Sequence, residues 1–307
     1  MAEPLILHHY DASPFSEKIR KIFGMKRLKW RAVEQPSLMP KPDLVPLTGG
    51  YRRIPVLQIG ADVYCDTQLI VRVLERLHPT PTLYPGASEG TCHAWNLWAD
   101  RLVFLPVVAA VFAETWQLLP PAFIADRTRM VPGRDFSTIP KEGPHAREQL
   151  RALLAVIEGG LADGRPYLLG HDPSLADATC FQQVWFLRFA PQSSGMVDEF
   201  PRVCAWRDRV DALGHGERAE MAPAEALAIA KESRPAATAV AADPHEPNGL
   251  EPGDPVSVTP DDYGLDPVAG ELVFSTAHEI AVRRRDAALG EIVVHFPRFG
   301  FRVTRGG

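Results

Sequence analysis

The chain has 307 residues, of which 46% are apolar and 23% charged, and its formal net charge is −5. This composition predicts a soluble globular protein with room for two or three domains, and the charge gives no reason to expect nucleic acid as a general partner. Residues 1–80 nevertheless carry 12 Lys and Arg against 8 Asp and Glu. A basic N-terminal region suits a small anionic ligand, although charged faces are most often solvated surface.

Cysteine usage and hydropathy indicate a cytoplasmic protein. The four cysteines are scattered, so we expect reduced thiols and neither a disulfide framework nor a metal site. The N-terminus lacks a basic segment followed by an apolar run, which predicts no signal peptide. The longest apolar run, residues 102–113, is interrupted by Pro106 and is shorter than the ~20 residues that span a bilayer. It predicts a buried helix, and we expect no membrane partner.

Strands and helices alternate over residues 1–80. Apolar residues recur at helical spacing after Ser13, which predicts a helix whose basic residues Lys18, Arg20 and Lys21 point outward. The remaining predicted elements are strands at 5–9 and 30–33, a loop with one helical turn at 35–50, a hairpin at 56–65, and a helix at 69–77 that ends before Pro79.

The rest of the chain divides by its patterns into a helical region, a linker and a strand-rich end. Residues 88–230 predict helices only, and Ser174 with Asp177 forms a capping box at the start of one of them. Residues 231–254 are rich in Ala, Pro, Glu and Asp and predict a linker. Residues 255–307 predict a small antiparallel β-module with strands near 271–274, 279–283 and 292–295, and a further alternating segment around Phe301.

Three short motifs follow one another in the first region: Ser13-Pro14-Phe15-Ser16, Arg53-Ile54-Pro55-Val56-Leu57 and Cys65-Asp66-Thr67. In this order and at these spacings they resemble the glutathione site of the glutathione S-transferase (GST) superfamily. The resemblance implies an α/β plus all-α fold, with a thioredoxin-like domain at 1–80 and an all-helical domain at 88–230. It does not cover the β-module.

Ser13 is the candidate catalytic residue. It precedes Pro14, a residue that favours the first turn of a helix, so its side chain faces free amides and the positive helix end. The resemblance implies that Ser13 hydrogen-bonds the sulfur of glutathione and lowers its pKa. The alternative is that Ser13 only caps the helix, and Tyr10 is the second candidate for the same role.

Thiol exchange is disfavoured by the same motif. Ser13 and Ser16 stand at the two positions that cysteines occupy in a C-x-x-C redox motif. Without a thiol at this turn the protein cannot run dithiol–disulfide exchange. The motif therefore favours transferase or isomerase chemistry over thiol reduction.

The other two motifs are expected to hold the tripeptide. The resemblance implies a cis bond before Pro55, which leaves the backbone of Val56 to pair with the cysteinyl part of glutathione as an added strand does. Thr67 at a helix N-terminus can bind the γ-glutamyl carboxylate, and Asp66 can accept from its ammonium group. A plain N-cap and a trans proline are the structural alternatives.

Further candidates have weaker support. Arg52 or Arg53 could meet the glycine carboxylate of glutathione, and Asp100 resembles acids that reach the γ-glutamyl amine across a dimer. The aromatic residues Trp95, Trp98 and Phe104 could wall an apolar pocket, but at helical spacing they more often form core. His8 and His9 are expected to be ordinary strand residues.

The sequence as a whole predicts a cytoplasmic, homodimeric GST-like enzyme that activates glutathione, its co-substrate, for attack on a small electrophile. The alternatives are a glutathione-dependent isomerase and a non-catalytic GST-fold scaffold that binds protein through its basic first helix and its β-module. The predicted glutathione-binding residues are Ser13, Phe15, Arg53, Ile54, Pro55, Val56, Asp66 and Thr67.

Overall fold

The computed structural model describes residues 3–237 and 243–306. Its first part has the β-α-β, β-β-α order of a thioredoxin-like domain, and each predicted element is present. The elements are β1 (Ile6–His9), α1 (Pro14–Met25), β2 (Lys29–Glu34), α2 (Val45–Thr48), β3 (Val56–Ile59), β4 (Asp62–Cys65) and α3 (Thr67–Leu77).

The second part is mainly helical, in agreement with its sequence pattern. Its helices are α4 (Glu89–Trp98), α5 (Phe104–Thr115), α6 (Pro121–Met130), α7 (Ile139–Gly160), α8 (Leu175–Phe186), α9 (Pro191–Gly195) and α10 (Pro201–Asp211). The predicted capping box is confirmed, because the Asp177 carboxylate accepts from the Ser174 amide at 2.9 Å. The other oxygen of Asp177 accepts from Trp206 Nε1 at 2.8 Å, which ties α10 to the start of α8.

The chain then returns to the sheet. A short strand that the sequence pattern did not predict, β5 (Glu217–Glu220), pairs in parallel with β2 and is followed by α11 (Pro223–Glu232). The predicted linker, 231–254, begins inside α11, and its residues 238–242 lie outside the described ranges. The C-terminal strands are β6 (Pro255–Pro260), β7 (Val268–Ser275), β8 (Glu279–Asp286), β9 (Gly290–Pro297) and β10 (Phe301–Arg305).

The β-module is antiparallel within itself, as expected, but it also extends the thioredoxin-like sheet. Strand β9 pairs in parallel with β4, with Val63 opposite Val294. The described strands thus form one ten-stranded sheet in the order β10-β6-β7-β8-β9-β4-β3-β1-β2-β5. Pairing β4 with β9 covers a strand edge that would otherwise expose unpaired amides and carbonyls.

Alternation along the strands gives the sheet two apolar faces. Leu57 packs into a core shared with α1, α3 and the helical part. Its neighbour Val56 points the other way, into a core shared with the C-terminal strands and with Leu44 and Leu47 near α2. One core therefore joins the thioredoxin-like part to the helices, and the other joins it to the β-module.

The expectation that the basic residues of α1 point outward is wrong. Lys18, Arg20, Lys21 and Lys26 are all buried. The helix lies between the sheet and the helical part, so its polar side faces protein. Gly24 marks how close this packing is, since a Cβ there would lie 2.3 Å from the carbonyl oxygen of Gly214.

Each of these cations has an acidic partner, because a charge without one is costly to bury. Lys18 Nζ contacts the Asp100 carboxylate at 2.6 Å, and Lys21 Nζ contacts Asp211 at 2.8 Å. Arg20 pairs with Glu17, and Lys26 pairs with Glu75. The basic cluster is therefore an internal contact and not a binding surface.

The apolar run at 102–113 belongs to a longer helical stretch, Glu89–Leu118. By length and composition alone this stretch could cross a membrane. Within the fold, α5 packs against α7 and contributes Val107, Ala110 and Val111 to the core. A core helix of a soluble protein meets the same criteria.

Candidate functional site

Ser13 lies at the N-cap of α1 and faces a large cavity. Its Oγ accepts from the amide of Ser16 at 3.2 Å, and Pro14 opens the helix. The side chain is nearly buried, at 2% exposure. Within the described ranges the Ser13 hydroxyl donates to no other protein group, so it is available to a ligand placed at the positive end of the helix.

The cavity that Ser13 faces has a volume of about 1060 Å³. Tyr10 and Ser13 line one end, and apolar side chains of the helical part line most of the rest. These include Phe104, Val108, Phe112, Phe123, Phe136 and Phe186. Phe104 is thus a pocket residue, whereas Trp95 and Trp98 pack against the core. Such a cavity can bury an apolar compound against its apolar wall, and charged side chains such as Glu34 and Arg134 also line it.

The start of α3 forms a second, much smaller cavity of about 30 Å³. Asp66 and Thr67 line it together with Pro55. Asp66 is the N-cap of α3, and its Oδ1 accepts from the Gln68 amide at 2.9 Å. Its φ of +71° is strained for a residue with a side chain, and such strain is concentrated at functional sites.

The proline motif adjoins both cavities. The Ile54–Pro55 peptide is cis, as the resemblance implies. Ile54 and Phe15 line both cavities, whereas Val56 lines neither. Val56 already lies between His8 of β1 and Cys65 of β4, so Ile54 has the more accessible backbone.

Both candidate arginines have internal partners. Arg52 pairs with Asp126 of α6. Arg53 pairs with Asp262 and also donates to the carbonyl of Tyr263. Asp100 likewise contacts Lys18, and Gln182 donates to it at 2.8 Å. These pairs place Asp100 in the packing between α1 and α8.

The cavity wall carries a further cation that the motifs did not indicate. Lys41 lines the large cavity, and its Nζ donates to the carbonyl of Pro36 at 2.6 Å. Burial, together with the neighbouring cations Arg127 and Arg52, lowers the pKa of Lys41 to about 7. An anionic group bound nearby would favour the charged form of this lysine.

Asp262 and Tyr263 are the site residues that sequence reasoning missed. They lie between β6 and β7, more than 190 residues from the proline motif, and no family motif covers them. Burial raises the pKa of Tyr263 to about 12; the charge of Arg53 opposes this shift, and the carboxylates of Asp262 and Asp66 add to it. The phenol is therefore protonated at neutral pH. The local sequence Asp261-Asp262-Tyr263-Gly264 has no signal beyond that of a turn.

The histidines of β1 are strand residues, as expected. His8 contacts Gln58 at 2.8 Å, and burial lowers its pKa to about 4. His9 lies near the carboxylates of Asp11 and Glu34, close enough for a shared metal ion. However, Arg20 is 3.1 Å from His9 Nδ1 and Arg218 is 2.8 Å from Asp11. These guanidinium groups already supply the positive charge that a metal would bring.

A thioredoxin-like domain with a serine at the first helix, a cis proline and a polar helix N-terminus, followed by a helical domain, defines the GST class of fold. Comparison with known proteins agrees. The family model for the GST N-terminal domain matches residues 7–82, and that for the GST C-terminal domain matches residues 108–209.

Known relatives extend this result. A GST-like protein from Pseudomonas syringae, known from its crystal structure, is 39% identical over 100% of both chains, with a TM-score of 0.82. The chain therefore belongs to the GST superfamily, and this likeness includes the C-terminal strands.

More distant relatives match the GST part. A probable glutathione S-transferase from Solanum tuberosum is 21% identical over 200 residues, which is 64% of this chain and 81% of that protein. A glutathione S-transferase from Rhodospirillum rubrum F11 is 21% identical in sequence. The match covers 68% of this chain and 88% of that one, with a TM-score of 0.53. The latter likeness concerns the fold alone.

Proposed function

We propose that the protein is a glutathione transferase in which Ser13 stabilises the thiolate of glutathione. The observation that carries the proposal is the free Ser13 hydroxyl at the N-terminus of α1, open to a cavity of about 1060 Å³ with an apolar wall. The helix end and the hydroxyl both favour a thiolate over a thiol. The apolar wall would receive the electrophile.

The reaction would be a nucleophilic substitution or addition. The thiol gives its proton to solvent, and the thiolate, held by the Ser13 hydroxyl, attacks the electrophilic carbon. A C–S bond forms, and in a substitution the leaving group departs with the bonding electron pair. Binding the non-reacting parts of glutathione positions the sulfur for this step.

The rest of the tripeptide would lie along the proline motif toward α3. The backbone at Ile54, rather than that of Val56 between β1 and β4, would pair with the cysteinyl unit. Thr67 and Asp66 would hold the γ-glutamyl carboxylate and ammonium groups. Because Arg52 and Arg53 are paired internally, Lys41 is an additional candidate for the glycine carboxylate.

One of the two features that favoured a non-catalytic scaffold, the basic first helix, does not form a binding surface. This helix is buried against the helical part, so it offers no surface to a partner. The β-module remains, but it is built into the sheet and shares residues with the candidate site. The catalytic proposal therefore explains more of the arrangement.

The first test is calorimetric titration of glutathione into wild type and Thr67→Ala. We expect binding by wild type and its loss in the variant. Ser13→Ala should still bind glutathione but should lower the turnover of an aryl halide by on the order of 100-fold, since one stabilising donor at the reacting atom is lost. Absence of glutathione binding by wild type, unless removal of the Tyr263 ring restores it, would refute the proposal.

The family also suggests where and in what form the enzyme acts. GST-superfamily proteins often form dimers, and the described surface exposes Leu102 and Phe299, at 64% and 61%. The guanidinium of Arg101, the residue before Leu102, lies 5.8 Å from the Phe299 ring. A cytoplasmic homodimer is part of the proposal, and light scattering on wild type and on Leu102→Glu would test the dimer.

A further inference from the structure

The segment between β6 and β7 enters the candidate site from the C-terminal module. The Asp262 carboxylate and the Tyr263 carbonyl both contact the guanidinium of Arg53. The same guanidinium lies over the Tyr263 ring, 3.9 Å from its centroid. One arginine of the proline motif therefore already binds a carboxylate, a peptide carbonyl and a ring of the protein's own chain.

Tyr263 lines both cavities of the site, as do Phe15, Arg53 and Ile54. It lines the large cavity together with Ser13, and it lines the small cavity together with Asp66 and Thr67. The small cavity has about 30 Å³, which is about the volume of one water molecule. A γ-glutamyl group is larger than this space, and the Tyr263 ring is one of the side chains that a ligand extending from Ser13 to Thr67 would meet.

The segment is held in place from two sides. Arg101 of the helical part contacts the Asp262 carboxylate at 2.8 Å. The amide of Gly264 donates to the carbonyl of Met130, at the end of α6, at 2.6 Å. Gly264 has a φ of +56°, a conformation that glycine adopts readily. The Asp261 amide also donates to the carbonyl of Gly300 at 3.0 Å, and these contacts are polar, in contrast to the apolar packing beneath the strands.

We infer that residues 261–264 are an internal pseudoligand of the glutathione site. Asp262 occupies Arg53 as a ligand carboxylate would, and Tyr263 closes the path to the N-terminus of α3. Glutathione occupies the whole site only when the segment moves aside. Its apparent affinity is therefore the intrinsic affinity multiplied by the fraction of molecules in which the segment is open. This inference rests on the proposed function, because it concerns the same ligand.

The test compares glutathione titrations of wild type, Tyr263→Ala and Tyr263→Phe in the full chain. Removal of the ring should tighten glutathione binding by at least about tenfold, since the closed state loses its main obstacle. Tyr263→Phe is the matched control, because it keeps the ring and within the described residues the hydroxyl bonds to no protein group. It should bind glutathione as wild type does.

A second measurement uses wild type alone, so it does not require that any variant folds. Hydrogen exchange at the Gly264 amide of wild type should accelerate when saturating glutathione is added, because displacement breaks its bond to Met130. Unchanged exchange at saturation, or equal affinity in wild type and Tyr263→Ala, would overturn the inference.

The two proposals fail in distinguishable ways. If wild type and Tyr263→Ala bind glutathione equally and Thr67→Ala abolishes binding, the glutathione site stands and the pseudoligand does not. If neither wild type nor Tyr263→Ala binds glutathione, both proposals are wrong.

Discussion

The thioredoxin-like part has two boundaries, and their polar contacts differ in kind. Toward the helical part, buried cations of α1 meet acids, with Lys18 beside Asp100 as the most enclosed pair. Toward the β-module, the main polar contact is a histidine between two carboxylates. His295 of β9 contacts Asp62 of β4 at 2.9 Å and Glu279 of β8 at 2.7 Å.

The second cluster joins three strands at the point where β9 pairs with β4. His295 also stacks on Tyr64, with 4.3 Å between ring centroids, and Arg76 of α3 contacts Glu279 at 3.3 Å. Burial alone would lower the pKa of His295, but its hydrogen bonds to Asp62 and Glu279 outweigh burial and raise it. Histidine is the side chain whose charge ordinarily changes near neutral pH. The two boundaries should therefore respond differently to pH.

The largest effect is expected from Lys18→Met at the helical boundary. The change leaves the Asp100 carboxylate buried without its cation, which should lower the free energy of unfolding by about 3–5 kcal/mol. Chemical denaturation of both proteins measures this difference.

Two further variants sharpen that result. Lys18→Met combined with Asp100→Leu should recover much of the loss, because no unpaired charge remains. Lys29→Met removes a lysine of an exposed pair with Glu217 and should leave stability unchanged. Equal losses in Lys18→Met and Lys29→Met would show that burial of the first pair is unimportant.

The next effect is a pH dependence at the module boundary. A histidine whose pKa is raised on folding stabilises the folded state fully below its unfolded pKa, near 6.5, and that stabilisation is lost as pH rises through the folded pKa. The free energy of unfolding should then fall with a slope of up to about 1.4 kcal/mol per pH unit. Denaturation series above pH 6.5 measure it.

The matched control for this slope is His295→Gln, which keeps a hydrogen-bonding group but does not titrate. Its slope above pH 6.5 should be smaller than that of wild type. The pH dependence of stability contributed by Glu279 has the opposite sign. Burial would raise the pKa of Glu279, but its hydrogen bond to His295 and the charge of Arg76 lower it. Its contribution is lost as pH falls below about 4.5. Identical slopes in wild type and His295→Gln would exclude the cluster as the titrating contact.

The smallest effect is expected where the β-module meets the helical part. Arg101 and Asp262 are partly exposed, at 30% and 24%, so Arg101→Ala should cost no more than about 1 kcal/mol of stability. The same change removes one anchor of residues 261–264 and should strengthen glutathione binding slightly. Calorimetry beside a thermal melt separates the two effects, and weaker glutathione binding in Arg101→Ala would contradict the pseudoligand.

The local elements of the thioredoxin-like part and the capping box could be predicted from sequence because their signals are local. Ser13 with Pro14 starts a helix through nearby amides, and the alternation at residues 56–65 specifies a hairpin between two cores. The candidate site followed from the same motifs. The basic residues of α1 were misplaced because helical spacing shows which face is apolar and does not show whether the polar face meets water or protein.

Sequence by itself therefore determined the order of elements in the thioredoxin-like part, the class of fold and the motif residues around Ser13 and Thr67. Tertiary structure alone decided the partners: Asp100 for Lys18, β9 for β4, and Asp262 with Tyr263 for Arg53. Each of these contacts joins residues more than 80 positions apart in the chain. Such pairings depend on how whole elements pack, because the side chains involved satisfy no local hydrogen-bond or periodicity rule that a single segment could reveal.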